Sequence, residues 1–138
     1  RPNDAIPRAE LAAMLAQFAE KKSAAIYFSD VSAGYWAANA IALTANLGWI
    51  NGYPDGTFGP DKTVTRAELM AMVNRATGRA PESTSALLSG MKTWKDNADT
   101  ARWYYLDVQE ATNSHTYTGA PTETWTSLTA TPDWSQYE

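Results

Sequence analysis

The sequence predicts a mainly α-helical protein assembled from tandem helix-loop-helix repeats. Three observations carry that expectation: an internal repeat, apolar residues at helical spacing, and a helix start at which a threonine and a glutamate cap one another. The repeat is the strongest of them, because periodicity on this scale dictates how the chain builds its core. "RPNDAIPRAELAAMLAQ" (1–17) aligns without gaps on "GPDKTVTRAELMAMVNR" (59–75) at an offset of 58. Pro2 falls on Pro60, Ile6 on Val64, Arg8 on Arg66, Glu10 on Glu68, Leu11 on Leu69 and Met14 on Met72. A second echo runs forward. "YFSDVSAGYWAANAIALTAN" (27–46) falls on "TWKDNADTARWYYLDVQEATN" (93–113) with one inserted residue, pairing Asp30 with Asp96, Trp36 with Trp103, Ile41 with Val108 and Asn46 with Asn113.

Each element follows from local chemistry. In the first copy, Leu11, Met14, Leu15 and Phe18 recur at helical spacing. Pro7 stands where the second copy has a capping Thr, so a side-chain cap worth about 1 kcal/mol is absent, partly offset by proline's fixed φ at a helix start. Trp36, Ala40, Leu43 and Leu47 form the stripe of the next helix, and Gly48 is its stop. Then comes "NGYPDGTFGPDK" (51–62), dense in turn residues. Thr65-Arg66-Ala67-Glu68 is a capping box: the Thr hydroxyl accepts from the Glu68 N–H, and the Glu68 carboxylate reaches back to the Thr65 N–H. Leu69, Met72, Val73 and Ala76 supply that helix's apolar face, and Gly78 ends it. Residues 81–90, "PESTSALLSG", read as a linker. Beyond it Trp103, Asp107 and Glu110 lie on one helical line, and from Thr116 the Thr, Trp, Pro and Gly content reads as loop or short extended structure.

Composition narrows the function classes. The 138 residues are 44% hydrophobic and 19% charged, which is globular rather than disordered. No apolar run approaches the roughly 18 residues of a membrane-spanning helix. With no cysteine, disulfides, Cys-rich zinc sites and thiol catalysis are excluded. A net charge of −4 without a Lys/Arg cluster argues against nucleic acid. The chain enters a repeat part-way through at Arg1, so the expectation is a processed or excised piece, and a missing signal peptide says nothing about secretion. Six Trp and seven Tyr suit either a small core or sugar stacking.

Residues 28–78 resemble an S-layer homology (SLH) module almost end to end. The matching blocks are Phe28-Ser29-Asp30-Val31, Tyr35-Trp36-Ala37, Gly48-Trp49-Ile50-Asn51-Gly52, Tyr53-Pro54-Asp55-Gly56-Thr57-Phe58 and Thr65-Arg66-Ala67-Glu68, in order and at the right spacing. The resemblance implies a pseudo-trimeric helical bundle with prong-like loops. It also implies grooves between modules that bind secondary cell wall polysaccharide, often pyruvylated, and so hold exported proteins at the bacterial cell surface. The expected segments are the C-terminal half of a first module at 1–26, a complete module at 27–80, a linker at 81–91 and a divergent third module at 92–138. The third keeps Trp94, Asp96 and Trp103 but has no Arg-Ala-Glu after them.

The candidate glycan-binding residues are Arg66, Arg8, Trp36, Tyr53, Gly52, Asp55 and Glu68. Arg66 sits in the first turn of its helix, where a guanidinium fork beside free N–H groups makes a carboxylate receptor, and a pyruvyl ketal presents a carboxylate. The competing reading is local pairing with Glu68 or Asp61. Arg8 is the equivalent in the first copy. Trp36, Trp49, Tyr35 and Tyr53 divide between core and stacking platform: core packing is preferred for Trp36 and Trp49, and Tyr53 is the ring expected at the surface. The glycines of 52–59 permit positive φ and close approach of a ligand to backbone amides. Asn51, Tyr53, Asp55 and Gly56 imitate the start of a calcium loop, but Lys62 stands where its bidentate Glu belongs. Asp30, Asp96, Asp99 and Glu110 show no spacing that selects a hydrolytic pair, and the single histidine, His115, has no nucleophile motif to serve. The resemblance therefore implies a non-catalytic anchor whose partner is the wall glycan, with self-association as the alternative, and the residues suggest no cofactor and no metal.

Overall fold

The computed structural model describes residues 5–20, 24–25 and 27–132. Pro2, and the outermost residues of the first and last expected segments, lie outside the described residues. The chain divides into two compact units, residues 1–76 and 77–138. It is mainly helical, as its sequence predicts.

The first unit holds α1 (Arg8–Leu15), a 3-10 turn at Ala16–Phe18, α2 (Ala38–Asn46) and α3 (Arg66–Thr77). Its core joins Ala9, Leu11, Ala12 and Leu15 of α1 to Ala37 and Ile41 at α2, Ile50 and Phe58 of the long loop, and Met72 of α3. As expected, α1 has no side-chain cap at Pro7. The loop before α3 does that work instead. Arg8 N–H donates to the Lys62 carbonyl at 2.9 Å and Ala9 N–H to the Pro60 carbonyl at 3.0 Å. Two of the orphan donors of a helix start are thus satisfied from the neighbouring repeat. The two copies of the helix-start segment also run against each other, with an antiparallel bridge at Pro7–Thr63 and Val64 N–H donating to the Ile6 carbonyl.

The buried face of α2 is one residue out of step with the expected stripe. Ala37, Ile41 and Thr44 point inward with Leu43, whereas Trp36 stands before the helix and is 64% exposed. The preference for Trp36 as a core residue is therefore corrected. The small Ala37 lets the helix approach its neighbours where a Trp would hold it off. Thr44 is fully buried and satisfies its hydroxyl on the Ala40 and Ile41 carbonyls of its own helix. Gly48, at φ 70°, ends α2 as predicted, with Trp49 N–H returning to the Thr44 carbonyl. Likewise Met14 and Phe18 are exposed rather than inward, because α1 stops at Leu15 and the 3-10 turn rotates Phe18 away.

The capping box of α3 forms in full. Thr65 N–H donates to Glu68 Oε2 at 2.8 Å, and Glu68 N–H donates to Thr65 Oγ1 at 3.3 Å. Met72 and Ala71 are buried, while Val73 is exposed.

The second unit has 3-10 turns at Thr84–Ala86 and Lys95–Asn97, then α4 (Tyr105–Thr112) and an antiparallel hairpin of β1 (His115–Thr118) and β2 (Thr124–Leu128). In the repeat register α4 answers α2, and its preceding Trp103 is exposed like Trp36. The hairpin replaces the turn-rich loop and capped helix of the complete repeat. Its register pairs Tyr117 with Trp125 and His115 with Leu128, with an irregularity between Thr116 and Tyr117. A buried amide, Asn113, stitches the unit together: its Oδ1 accepts from Lys92 N–H at 2.7 Å and its Nδ2 donates to the Lys92 and Gln109 carbonyls.

Candidate functional site

The loop from Asn51 to Lys62 is held by a small set of contacts, and most of the candidate residues belong to it. Asp55 accepts from Thr57 N–H at 3.0 Å and from the Thr57 hydroxyl at 2.6 Å. These hydrogen bonds, that of the hydroxyl first, hold its carboxyl below the ordinary range. The Tyr53 and Thr57 backbones pair at 2.7 Å, closing the turn. Gly52 is required for packing: a Cβ there would collide with Phe28 Cε1 and lie 2.9 Å from the Thr57 carbonyl. Asp30 anchors the loop from outside, accepting from Phe58 N–H at 2.8 Å and Gly59 N–H at 2.7 Å. Burial pushes the Asp30 carboxyl up, but the two backbone donors outweigh it and hold it below its usual value.

Arg8 is buried, with only 4% of its surface exposed. Its Nε donates to the Phe58 carbonyl at 2.9 Å and its Nη2 to the Asn51 carbonyl at 2.7 Å. The guanidinium lies over the Phe58 and Tyr53 rings, at 4.7 and 5.0 Å. Lys62 Nζ also lies 4.1 Å from the centre of the Tyr53 ring, so Tyr53 is half-buried between two cations rather than open to solvent. Arg8, Tyr53 and the Gly52–Asp55 turn are thus brought together.

Arg66 is placed differently. It is exposed at the first position of α3. Glu68 is engaged by Thr65, and Asp61 accepts from the Tyr35 hydroxyl at 3.4 Å. Among the described residues Arg66 has no ion-pair partner, and no hydrogen bond or ring contact joins it to Trp36 or Tyr53. Trp36 rests beside Tyr35, ring centres 5.9 Å apart. An open cavity of about 400 Å³ is lined by Asp30, Gly59, Pro60, Asp61 and Lys62, and neither Arg66 nor Trp36 borders it.

The comparisons with known proteins identify this arrangement. The family described as the S-layer homology domain matches residues 27–70. These residues form an SLH domain. Its capping box, anchored loop and α2 are the blocks described above, and α1 lies outside the matched residues and packs into the same core. Among curated relatives, the chain is 33% identical over 129 residues to cell surface glycoprotein 1 of Acetivibrio thermocellus, covering 85% of this chain and 5% of that protein. It is 33% identical over 122 residues to the cellulosome-anchoring protein of the same organism, covering 84% of this chain and 26% of the relative. An amylopullulanase of Thermoanaerobacterium thermosulfurigenes is 42% identical over 81 residues, 53% of this chain and 4% of the enzyme. The chain therefore spans about a quarter or less of these relatives. No solved structure matches it.

The second unit holds a polar cluster that the sequence does not announce. Arg79 pairs with Glu110 (Nη2 to Oε1, 2.9 Å) and with Glu123 (Nε to Oε2, 2.6 Å). His115 Nε2 stands 3.3 Å from Glu110 Oε2 and 3.1 Å from Glu123 Oε1. Its Nδ1 lies 2.7 Å from the Asn113 carbonyl, which can only accept, so Nδ1 carries the proton. The Trp125 indole donates to Glu110 Oε2 at 2.9 Å and its ring stacks on His115 at 4.1 Å. Burial pushes the Glu110 carboxyl up to about 7, and its hydrogen bond with Glu123 adds to the rise. Burial acts on Glu123 in the same direction, but hydrogen bonding with Arg79 first, and then with its neighbours Glu110 and His115, holds it below the usual carboxylate range. Glu110 and His115 are visible in the sequence, but the partners Arg79 and Glu123 are 31 and 13 residues from Glu110 and carry no spacing rule. Only the hairpin brings them together.

Proposed function

We propose that this chain is a non-catalytic anchoring module of a bacterial cell-surface protein, and that it binds a secondary cell wall polysaccharide carrying carboxylates, such as pyruvyl ketals. The observation that carries this reading is the exposed Arg66 guanidinium at the N-terminus of α3, within the SLH domain and without an ion-pair partner among the described residues. A fork of donors beside the positive end of a helix is suited to a carboxylate. Trp36, exposed beside Tyr35, offers a stacking face for a sugar ring. The relatives' names, a cell surface glycoprotein and a cellulosome-anchoring protein, support the same placement. In this reading Arg8, Tyr53, Gly52, Asp55 and Glu68 build and hold the groove wall, while Arg66 and Trp36 meet the glycan. The test is pull-down by purified cell wall sacculi. Arg66→Ala abolishes retention and Trp36→Ala weakens it; unchanged retention of Arg66→Ala would show that no carboxylate is read there.

A second reading, association between copies, is favoured by the exposed Met14 of α1 and Phe18 of the 3-10 turn after it, at 56% and 77% exposure. Light scattering distinguishes the two: a mass that rises with concentration and falls in Phe18→Ser supports association, and a constant monomer mass removes it.

A further inference from the structure

We propose that Glu110, His115 and Glu123 form a site for a divalent transition ion of the zinc class, with the Arg79 guanidinium filling the cation position when no metal is bound. The geometry points to a ligand set. The His115 Nε2 lies 3.3 and 3.1 Å from one oxygen of each carboxylate, and all three donor atoms fall within 4.8 Å of one another. Ligands about 2.0–2.1 Å from a common ion stand about 2.8–3.4 Å apart along the edges of an octahedron or tetrahedron, and the two nitrogen–oxygen edges fall in that range.

The donors are also held as metal ligands require. The side chains of Glu110, His115 and Glu123 are 4%, 2% and 1% exposed. The Asn113 carbonyl fixes the His115 tautomer, so that Nε2 accepts from Arg79 Nη2 at 2.9 Å and its lone pair is freed for an ion when that guanidinium withdraws. Trp125 orients Glu110 through its indole N–H and packs flat on the imidazole. Two buried carboxylates this close need a positive charge, and Arg79 now supplies it. Arg79 is the one member of the cluster that is substantially open to solvent, its side chain 30% exposed, and its guanidinium lies over the Tyr117 ring at 4.1 Å. Its withdrawal would leave the three donors facing one point. An open cavity of about 380 Å³, bounded by Arg79, Glu110, His115, Thr129 and Pro132, gives an entry path and room for water to complete the coordination shell. One imidazole nitrogen and two carboxylate oxygens suit zinc and its neighbours better than calcium or magnesium, which prefer oxygen alone.

The experiment is calorimetric titration of the full 138-residue chain with zinc chloride after chelator treatment, with far-UV circular dichroism on every variant. The wild type binds one equivalent. Glu110→Gln, which keeps an oxygen for the Trp125 indole, and His115→Ala each weaken binding at least about 100-fold. Arg79→Gln, which removes the competing cation, tightens it about tenfold. Cobalt in place of zinc gives a visible absorption band that His115→Ala shifts or removes. The proposal is overturned by a wild type that binds no zinc, by binding seen only in Arg79→Gln, by undiminished binding in a folded Glu110→Gln or His115→Ala, or by equal displacement with calcium. The wild-type titration decides the matter even if a variant fails to fold.

Discussion

Arg8 and Arg66 occupy the same place in the repeat and meet opposite fates. Arg8 has a loop folded over it, and its donors are spent on the Phe58 and Asn51 carbonyls in a buried setting. Removing it strands two carbonyls and a cavity, so Arg8→Ala should lower stability by about 3 kcal/mol in urea unfolding. Arg8→Lys should recover less than half of that, because an ammonium cannot donate along both directions while stacking between rings. A loss below about 1 kcal/mol would mean that Arg8 is not what fixes the loop. Gly52 is equally specific. Gly52→Ala drives a methyl into Phe28 and against the Thr57 carbonyl, at a cost of about 2 kcal/mol. Asp30 gives a pH signature. Its folded carboxyl is held below the ordinary value near 3.8, so the native state favours the ionised form. That contribution is complete above the ordinary value and is lost as pH falls through the lowered one. Asp30→Asn should therefore unfold with a flatter dependence on pH as it falls below the ordinary value near 3.8, measured as melting temperature; a parallel shift of the whole curve would contradict it.

Among the elements, the two helix starts show two solutions to one problem. In α3 the orphan donors are met locally by Thr65 and Glu68, and Thr65→Ala should cost about 1 kcal/mol. In α1 they are met by carbonyls of residues 60 and 62, so the same helix end depends on a segment fifty residues away. That difference decides what can be read in a sequence. The capping box, the glycine stops at Gly48 and Gly78 and the missing cap at Pro7 are local, and all were legible. The inward face of α2 was not. Trp36 has the larger apolar surface, yet Ala37 faces the core, since the backbone before α2 turns before the helix begins and the close contact admits only a small side chain. The hairpin of β1 and β2 was legible only as extended structure, because its pairing is set by partners across the turn.

For the molecule as a whole, a net charge of −4 opposes an acidic polymer, so recognition of a wall glycan must rest on local donors. Retention on sacculi should therefore weaken only a few-fold between about 50 and 200 mM salt; a steep loss would point to diffuse attraction instead of a formed site. The sequence by itself determined the helical repeat, the turn-rich loop, the capped start of α3 and the SLH kinship, because these rest on residues that interact within a few positions or recur at a fixed offset. The tertiary structure alone decided that Arg8 is buried while Arg66 is exposed, and that Trp36 faces solvent. It alone brought Arg79, Glu110, His115 and Glu123 to one point. The physical reason is the same in each case: burial and charge pairing depend on which distant segment arrives, and no local spacing encodes that arrival.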